Sequence, residues 1–412
     1  MKINLPNDKL GYYTVNGKKF YGKIEALLYA NETLADIEWN FNKEVFDSVN
    51  WTIEPETGLL EFYKQRAQQI RDAYDYVIVM ASGGADSTNV IYSFLKNGIH
   101  IDEVIVSAPI SGLSNYQWND KDLHANNTIS ETKFAQFPLA DEIRTNWPNV
   151  KVTLNDYFKE MIEYKSDDWM MQGGYWIHPT CARYSLDKLH HIKNLAESGK
   201  KIAKIFGLDK PVLVRGPNGM LFNTILDTVC QVGNHKTTRE EYPNLETVYF
   251  YFSPEMPQLM VKQSHVLAKW MHMPENKFAR STMADIRANA SWNLNEHRFS
   301  LHHRANISCV YPMLEGRKVF QTDKSFQNFT NIAFDNWFYK LHGETRLSQM
   351  IQSDFDALKN KINKKYFNEL NNAFAPHIQR YFIGHESKFI IDKEKFSLPS
   401  LSEMDSGLIL QL

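Results

Sequence analysis

Short apolar runs alternate with amphipathic stretches through the first half of the chain. The runs are rich in β-branched side chains, which predicts strands buried on both faces at 76–80, 102–108, 150–154 and 201–207. Apolar residues at three-to-four spacing predict helical segments before and between the strands, at 59–73, 86–97, 125–146 and 181–198. This alternation is typical of an α/β fold, in which helices cover both faces of a parallel sheet.

The pattern divides the chain into three regions. Residues 1–60 mix turns with short apolar clusters and form an N-terminal flank, in which Val15-Asn16-Gly17 predicts a hairpin turn. Residues 61–240 hold the α/β domain. Residues 241–412 are rich in aromatic side chains and mainly helical, and we expect them to shape a substrate site.

Further elements are predicted after residue 207. Residues 211–225 predict two strands around a Pro-Asn-Gly turn, and residues 246–252 predict another strand. Helical spacing recurs at 257–273 and at 346–374. The second of these helices carries an apolar stripe that we assign to the core, made of Leu347, Ile351, Phe355, Leu358 and Ile362.

Composition narrows the class of protein. Of the 412 residues, 43% are hydrophobic and 23% are charged, as in ordinary soluble globular proteins. The net charge of -2 gives no general attraction to nucleic acid or to anionic membranes, so nucleic-acid binding would need a local basic patch. The three cysteines are widely separated, which argues against a disulfide framework. With no signal-peptide pattern and no long apolar run, we expect a cytoplasmic protein without a membrane partner.

Candidate chemistry begins where the first buried strand ends. The segment Ser82-Gly83-Gly84-Ala85-Asp86-Ser87-Thr88 lies between that strand and the next helix. Glycines allow a backbone to approach a phosphate, and a helix N-terminus offers free N–H donors and partial positive charge. The hydroxyl groups of Ser82, Ser87 and Thr88 can add donors. The segment therefore predicts a polyphosphate site.

Asp86 changes this interpretation. A carboxylate repels phosphate unless a divalent cation lies between them, and Mg²⁺ prefers oxygen ligands. The stretch contains neither the Walker A pattern nor the G-x-G-x-x-G pattern of dinucleotide-binding folds. The alternative is a glycine turn in which Asp86 or Ser87 only caps the helix. The combination of glycines, hydroxyls and Asp86 favours a nucleotide with Mg²⁺.

The segment resembles the S-G-G-x-D-S signature of the PP-loop ATP pyrophosphatases, with fixed positions at Ser82, Gly83, Gly84, Asp86 and Ser87. This resemblance covers roughly residues 60–240 and implies an adenine nucleotide alpha hydrolase-like fold of the HUP type. It also implies that the loop holds the β- and γ-phosphates of ATP. In the same family, adenine is held by backbone groups at the end of the second strand, which is Ser107 in this sequence.

The resemblance implies an AMP- and pyrophosphate-forming ligase. Such an enzyme adenylates a carboxylate or amide-type oxygen of a small-molecule or nucleotide acceptor, and ammonia or an amine then displaces AMP. The second hypothesis is also enzymatic: sulfur transfer to a nucleotide or tRNA, as in thiolation enzymes or phosphoadenylylsulfate reductases. The third hypothesis is a non-catalytic module that binds ATP or AMP without turnover.

A second loop follows the fourth predicted strand. Because the carboxyl ends of parallel strands share one edge of a sheet, Asp209 and Lys210 should reach the same edge as the glycine loop. The resemblance implies that Asp209 shares the metal and that Lys210 contacts the α-phosphate as a catalytic residue beside Asp86. The alternative is a charged turn closed by Pro211.

Other candidates are less specific. Cys181 would support sulfur transfer, although a packing cysteine is the simpler interpretation because no CxxC is present. Lys262 and His265 lie near one face of a helix, in a stretch that resembles PP-loop proteins of tailed bacteriophages. They form either a solvated basic face or contacts to an anionic substrate. Arg298 and Arg304 are further candidates for substrate recognition.

Overall fold

The computed structural model describes residues 8–108, 110–115, 132–158, 186, 189–208, 211–227, 244–273, 297–299, 309–314, 353, 356–367 and 377–390. Its N-terminal part is an antiparallel sheet in the order β2-β1-β3, made of β1 (Tyr12–Val15), β2 (Lys18–Phe20) and β3 (Glu38–Asn40). Helices α1 (Lys23–Thr33) and α2 (Lys43–Asp47) accompany it. Asn16 and Gly17 join β1 to β2 with φ of 49° and 76°, which confirms the predicted hairpin turn.

Nine more strands follow in the described part of the chain. They are β4 (Tyr76–Met80), β5 (Glu103–Ala108), β6 (Lys151–Asp156), β7 (Ile202–Phe206), β8 (Val212–Arg215), β9 (Met220–Leu226), β10 (Leu245–Tyr249), β11 (His297–Phe299) and β12 (Ile378–His385). The helices of eight or more residues that follow α2 are α3 (Leu59–Ala73), α4 (Ala85–Leu95), α5 (Phe137–Asn146), α6 (His190–Glu197) and α7 (Pro257–His272). A π-helical turn, Thr132–Gln136, leads directly into α5.

The central sheet has five parallel strands in the order β10-β7-β4-β5-β6. Every residue of β5 and β7 is buried, so these strands are covered on both faces, as their continuous apolar runs predict. The four strands predicted from the sequence are present, with ends that differ by one or two residues. The α/β class is therefore confirmed.

The strand order reverses at the middle of this sheet. From β4 the chain runs outward through β5 and β6, and then crosses to the opposite side of β4 to form β7 and β10. The gap between the carboxyl ends of β4 and β7 is thus a topological switch point, where ligands bind in open α/β sheets. Strand β10 lies beyond residue 240, so the sheet extends past the predicted end of the α/β region.

The helices of the structure can be compared with the ranges predicted from the sequence. Helix α3 spans the predicted residues 59–73. Helix α4 ends at Leu95, and Gly98, with φ of 70°, donates its N–H to the Leu95 carbonyl oxygen at 3.2 Å. Helix α5 occupies the second part of the predicted crossover. Helix α6 covers only 190–197 of the predicted 181–198, because residues 181–185, 187 and 188 lie outside the described ones.

A second sheet is antiparallel, in the order β11-β8-β9-β12. The β8–β9 hairpin is the predicted pair around Pro-Asn-Gly, whereas the sequence pattern did not predict the pairing of β12 with β9. The region after residue 240 therefore contributes strands as well as helices.

The predicted helix at 346–374 is shorter than expected where the structure describes it. Residues 356–361 are helical, and Asn363 then caps a separate 3₁₀ turn, Lys364–Tyr366. Its side chain accepts a hydrogen bond from the Lys365 N–H at 2.9 Å. Leu358 and Ile362 are buried as predicted. The other predicted stripe residues, Leu347, Ile351 and Phe355, lie outside the described residues.

Two buried polar contacts connect the N-terminal sheet to later parts of the chain. Lys23 Nζ donates to Asp227 Oδ2 at 2.8 Å, and Tyr13 OH donates to the same oxygen at 3.0 Å. The Gln379 side chain accepts from the Phe41 N–H at 2.6 Å and donates to the Phe41 carbonyl oxygen at 3.1 Å. Both contacts join residues more than 200 positions apart. Within the described ranges, no helix has both the length and the apolar character needed to span a bilayer.

Candidate functional site

The glycine loop connects β4 to α4 as the sequence predicts. Ala81 N–H donates to the Ile105 carbonyl oxygen at 2.8 Å, which extends the pairing of β4 with β5 by one residue. The chain then turns at Gly83, whose φ is 75°, and Gly84 is the N-cap of α4. The first N–H groups of a helix have no partner from a preceding turn, so the start of α4 offers donors at the sheet edge.

Two close backbone approaches explain why glycines occupy this edge. A Cβ on Gly83 would lie 2.5 Å from the Ala135 carbonyl carbon and 2.6 Å from the Gln136 nitrogen. A Cβ on Gly207, just after β7, would lie 3.0 Å from the backbone of Asp86. The π-helical turn and the end of β7 therefore both pack directly on the loop. π-helical turns occur frequently at functional sites.

The loop serines form a small hydrogen-bonded cluster. Ser87 Oγ accepts from the Ser82 N–H at 3.1 Å and lies 3.0 Å from Ser82 Oγ. Ser82 Oγ also accepts from the Gly84 N–H at 3.3 Å. Thr88 differs from this cluster because it is fully buried, and its Oγ1 makes no hydrogen bond with the described residues. The structure therefore brings together the hydroxyls of the half-buried Ser82 and the buried Ser87, and leaves Thr88 outside this cluster.

An open cleft lies beside the serines, at the switch point of the sheet. Its cavity volume is about 120 Å³, and the cleft opens to solvent. Its walls come from the carboxyl ends of β4, β5 and β7 and from the π-helical turn; the lining residues are Met80, Ala81, Ser82, Ser87, Ile105, Ser107, Gln136, Phe206, Gly207 and Leu208. The cleft thus combines apolar walls with a few polar groups.

Ser107 lies in the wall of this cleft, at the predicted end of the second strand. Its hydroxyl oxygen accepts from Asn155 Nδ2 at 3.1 Å, and its carbonyl oxygen accepts from Gln136 Nε2 at 3.5 Å. Sequence analysis did not identify Gln136 as a site residue. It lies in a crossover whose helical pattern says nothing about which residue faces a ligand.

Two buried tyrosines hold Asp86 from outside the loop. Tyr311 OH donates to Asp86 Oδ1, and Tyr251 OH donates to the Asp86 carbonyl oxygen at 2.9 Å. Burial is the main cause that raises the pKa of both tyrosines well above its ordinary value, so both hydroxyls remain protonated donors. A carboxylate accepts several bonds, so the contact with Tyr311 is compatible with Asp86 as a metal ligand.

The segment that carries Tyr311, residues 309–314, is fastened to the helices around the loop. Tyr63 OH on α3 donates to the Val310 carbonyl oxygen at 2.5 Å. Lys96 Nζ, just after α4, donates to the Met313 carbonyl oxygen at 2.8 Å. The orientation of Asp86 therefore depends on a part of the chain that begins about 60 residues after β10, the last strand of the parallel sheet.

The structure pairs Lys262 and His265 with the segment before α3. Lys262 Nζ donates to Glu54 Oε1 at 2.8 Å, and His265 Nε2 lies 2.9 Å from the Trp51 carbonyl oxygen. Burial is the first cause that lowers the pKa of His265, which favours the neutral ring. Both side chains are largely buried, so they do not form a solvated basic face. Neither residue lines the cleft. Their role in substrate binding stays a prediction.

Several predicted site residues lie outside the described residues. These are Asp209, Lys210, Cys181 and Arg304, and Arg298 is described only as part of strand β11. Cys309 lies within segment 309–314, and burial raises the pKa of its thiol well above its ordinary value. It therefore offers no ready thiolate for sulfur chemistry.

Comparison of the chain with protein-family models, with curated proteins and with solved structures gave no match. We therefore infer function from the geometry of the loop, the cleft and the tyrosines.

Gly83→Ala should damage this site more than an equivalent change elsewhere. The new Cβ meets the backbone of the π-helical turn, and the residue keeps a left-handed φ that costs about 1–3 kcal/mol on its own. The matched control is Gly98→Ala, since Gly98 has φ of 70° but open space around its Cβ position. We expect both variants to lose stability in urea unfolding and, if the loop binds ATP as the sequence predicts, only Gly83→Ala to lose at least about tenfold in ATP affinity. Equal ATP affinities would show that the loop geometry does not matter for binding.

Proposed function

We propose that the protein is an ATP-dependent ligase of the PP-loop type, with the HUP-type variant of the α/β fold. In this proposal the loop 82–88 holds the β- and γ-phosphates of ATP, and an acceptor oxygen attacks the α-phosphate. The products are an adenylated acceptor and pyrophosphate, and ammonia or an amine then releases AMP.

The observation that carries the proposal is the position of the glycine loop. It follows the central strand β4, starts α4, and lies at the switch point next to an open cleft. Free helix N–H groups and partial positive charge at this point suit a phosphate. The S-G-G-x-D-S pattern alone could occur in any turn, and this topological position is what favours a nucleotide site.

The described residues fit ATP on chemical grounds. Gln136 lines the cleft, and its buried amide oxygen Oε1 makes no hydrogen bond within the structure's described residues. Ser82 and Ser87 provide hydroxyls at its polar side, and Phe206 and Ile105 provide apolar surface for a ring. Polar groups at one side and apolar walls at another match a ligand with both a polyphosphate and a base.

Mg²⁺ would be held by Asp86 together with phosphate oxygens of the nucleotide. Among the described residues, no group of three or more His, Cys, Asp or Glu side chains could hold a metal ion by itself. This agrees with the way Mg²⁺ usually binds at nucleotide sites, through one or two carboxylates, waters and substrate phosphates. When bound, the ion would neutralise charge on the departing pyrophosphate.

The reaction can be tested with ATP labelled at the α-phosphate. The purified full chain is incubated with this ATP, Mg²⁺ and a pool of metabolites, and the labelled products are separated. We expect the label in AMP or in an adenylated acceptor, and an equal amount of unlabelled pyrophosphate, which is measured separately. ADP and inorganic phosphate as the products would contradict the proposal, because they require cleavage at the γ-phosphate.

A matched variant separates this activity from a contaminating ATPase. Ser82→Ala and Ser87→Ala together remove the hydroxyls at the cleft surface. Ser198→Ala removes a serine hydroxyl that only donates to the Leu195 carbonyl oxygen at 2.6 Å, after α6. AMP release should fall in the double variant and stay unchanged in Ser198→Ala. Retained release in the double variant would place the activity elsewhere.

A further inference from the structure

A buried glutamine in the cleft wall has one hydrogen-bonding atom unused. Gln136 is 2% exposed, and its Nε2 donates to the Ser107 carbonyl oxygen at 3.5 Å. Its Oε1 is buried and makes no hydrogen bond with the described residues. A buried acceptor without a donor costs free energy, and native proteins rarely keep one without a reason. A ligand that supplies a donor at this point would remove the cost.

The contact with Ser107 fixes which way the amide of Gln136 points. A carbonyl oxygen only accepts hydrogen bonds, so the nitrogen of the amide must face Ser107. Turning the amide over would place two oxygens against each other. Gln136 therefore presents an acceptor, and not a donor, away from Ser107.

The backbone of Gln136 also places it between the loop and the end of β5. Its nitrogen lies against Gly83, and its side chain extends to the carbonyl of Ser107. Ile105, Phe206 and Leu208 provide apolar surface in the same cleft. An aromatic ring between such walls, carrying an amino group, is the part of ATP that matches an acceptor in this position.

We propose that Gln136 determines base specificity by accepting a hydrogen bond from the exocyclic amino group of adenine. This inference rests on the proposed function, because it assumes that the cleft holds ATP. It goes beyond that function by naming the side chain that distinguishes adenine from a base with an oxygen at the same position. Hypoxanthine has such an oxygen, which would face Oε1 and be repelled.

Calorimetric titration of the full chain with ATP, ITP and 2′-deoxy-ATP, each with Mg²⁺, tests the inference. The wild-type protein should bind ATP about 10- to 100-fold more tightly than ITP, and should bind deoxy-ATP as tightly as ATP. Gln136→Met keeps the length of the side chain and removes the amide. In this variant the preference for ATP over ITP should fall to about twofold or less. A remaining difference of this size can come from the slightly different shape of methionine.

A second buried glutamine provides the control. Gln379→Met also removes a buried amide, but that amide contacts Phe41 and Tyr381 and does not line the cleft, so the ratio of ATP to ITP affinity should not change. Equal wild-type affinities for ATP and ITP, or an undiminished preference in Gln136→Met, would overturn the inference and leave the proposed function standing. A loss of affinity for deoxy-ATP but not for ITP would assign the donor to the ribose hydroxyl and reject the base. If none of the three nucleotides binds, both the proposed function and the inference are wrong.

Discussion

Replacing Asp227 by alanine should lower the free energy of unfolding by about 3–5 kcal/mol, because the change leaves the ammonium group of Lys23 buried without its partner. The side chains of both residues are almost fully inaccessible, at 0% and 2%. Tyr13 OH loses the same acceptor. The loss should appear as a lower urea concentration at the midpoint of unfolding, measured by tryptophan fluorescence.

Two further variants show whether burial is the cause. Asp36→Ala removes the partner of Lys365 at 2.7 Å, but the Asp36 side chain is 86% exposed, so the loss should stay below about 1 kcal/mol. Lys23→Met combined with Asp227→Leu replaces the pair by apolar side chains and should recover much of the stability lost in Asp227→Ala. A similar loss in Asp36→Ala and Asp227→Ala would show that burial of the pair contributes little.

Asp86→Asn should lower the rate of AMP release at least about 100-fold, if Asp86 holds Mg²⁺ as proposed. Changes to residues that only orient a metal ligand already cost about 10- to 100-fold in affinity or activity. Loss of the ligand itself should therefore cost at least as much. The variant keeps the size of the side chain and can still accept from Tyr311. We expect ATP affinity without Mg²⁺ to rise, because the Asp86 carboxylate no longer repels the phosphates, and the gain in affinity on adding Mg²⁺ to disappear.

Control variants distinguish the metal role from a local change of structure. Glu61→Gln neutralises an acid in the first turn of α3, as Asp86→Asn does in the first turn of α4, and should leave the response to Mg²⁺ intact. Tyr311→Phe keeps the Asp86 carboxylate and removes only the hydroxyl that orients it. It should raise the Mg²⁺ concentration at half-maximal activity without abolishing turnover. If Asp86→Asn turns over at the wild-type rate, Asp86 is not a metal ligand.

The parallel sheet could be predicted because its signal is local. Strands such as β4 and β7 are covered on both faces, so nearly every residue in them is apolar. In the second sheet, the sequence pattern predicted only the β8–β9 hairpin. Strand β12 alternates buried and exposed residues and pairs with β9, which precedes it by about 150 residues in sequence. A hydrophobic pattern identifies a strand of this kind poorly and does not identify its partner.

The loop could also be predicted from the sequence, whereas the rest of the candidate site could not, because only the loop is a local pattern. Ser82, Gly83, Gly84, Asp86 and Ser87 are contiguous, so their spacing alone carried the prediction. Gln136 and Tyr311 come to the loop through tertiary packing, and each lies in a stretch without a motif. Their residue types do not mark them, because glutamine is usually an ordinary surface residue and tyrosine is often a half-buried packing residue.

The contact between Gln379 and Phe41 has a consequence for how the protein is made. The two residues lie 338 positions apart, and the amide of Gln379 satisfies both backbone groups of Phe41. On the ribosome, the N-terminal strands emerge early, but Phe41 must wait for residue 379 to be synthesised. Contacts of such long sequence separation slow folding and keep backbone groups exposed during that delay. The two backbone groups of Phe41 therefore lack their partner until synthesis has passed residue 379.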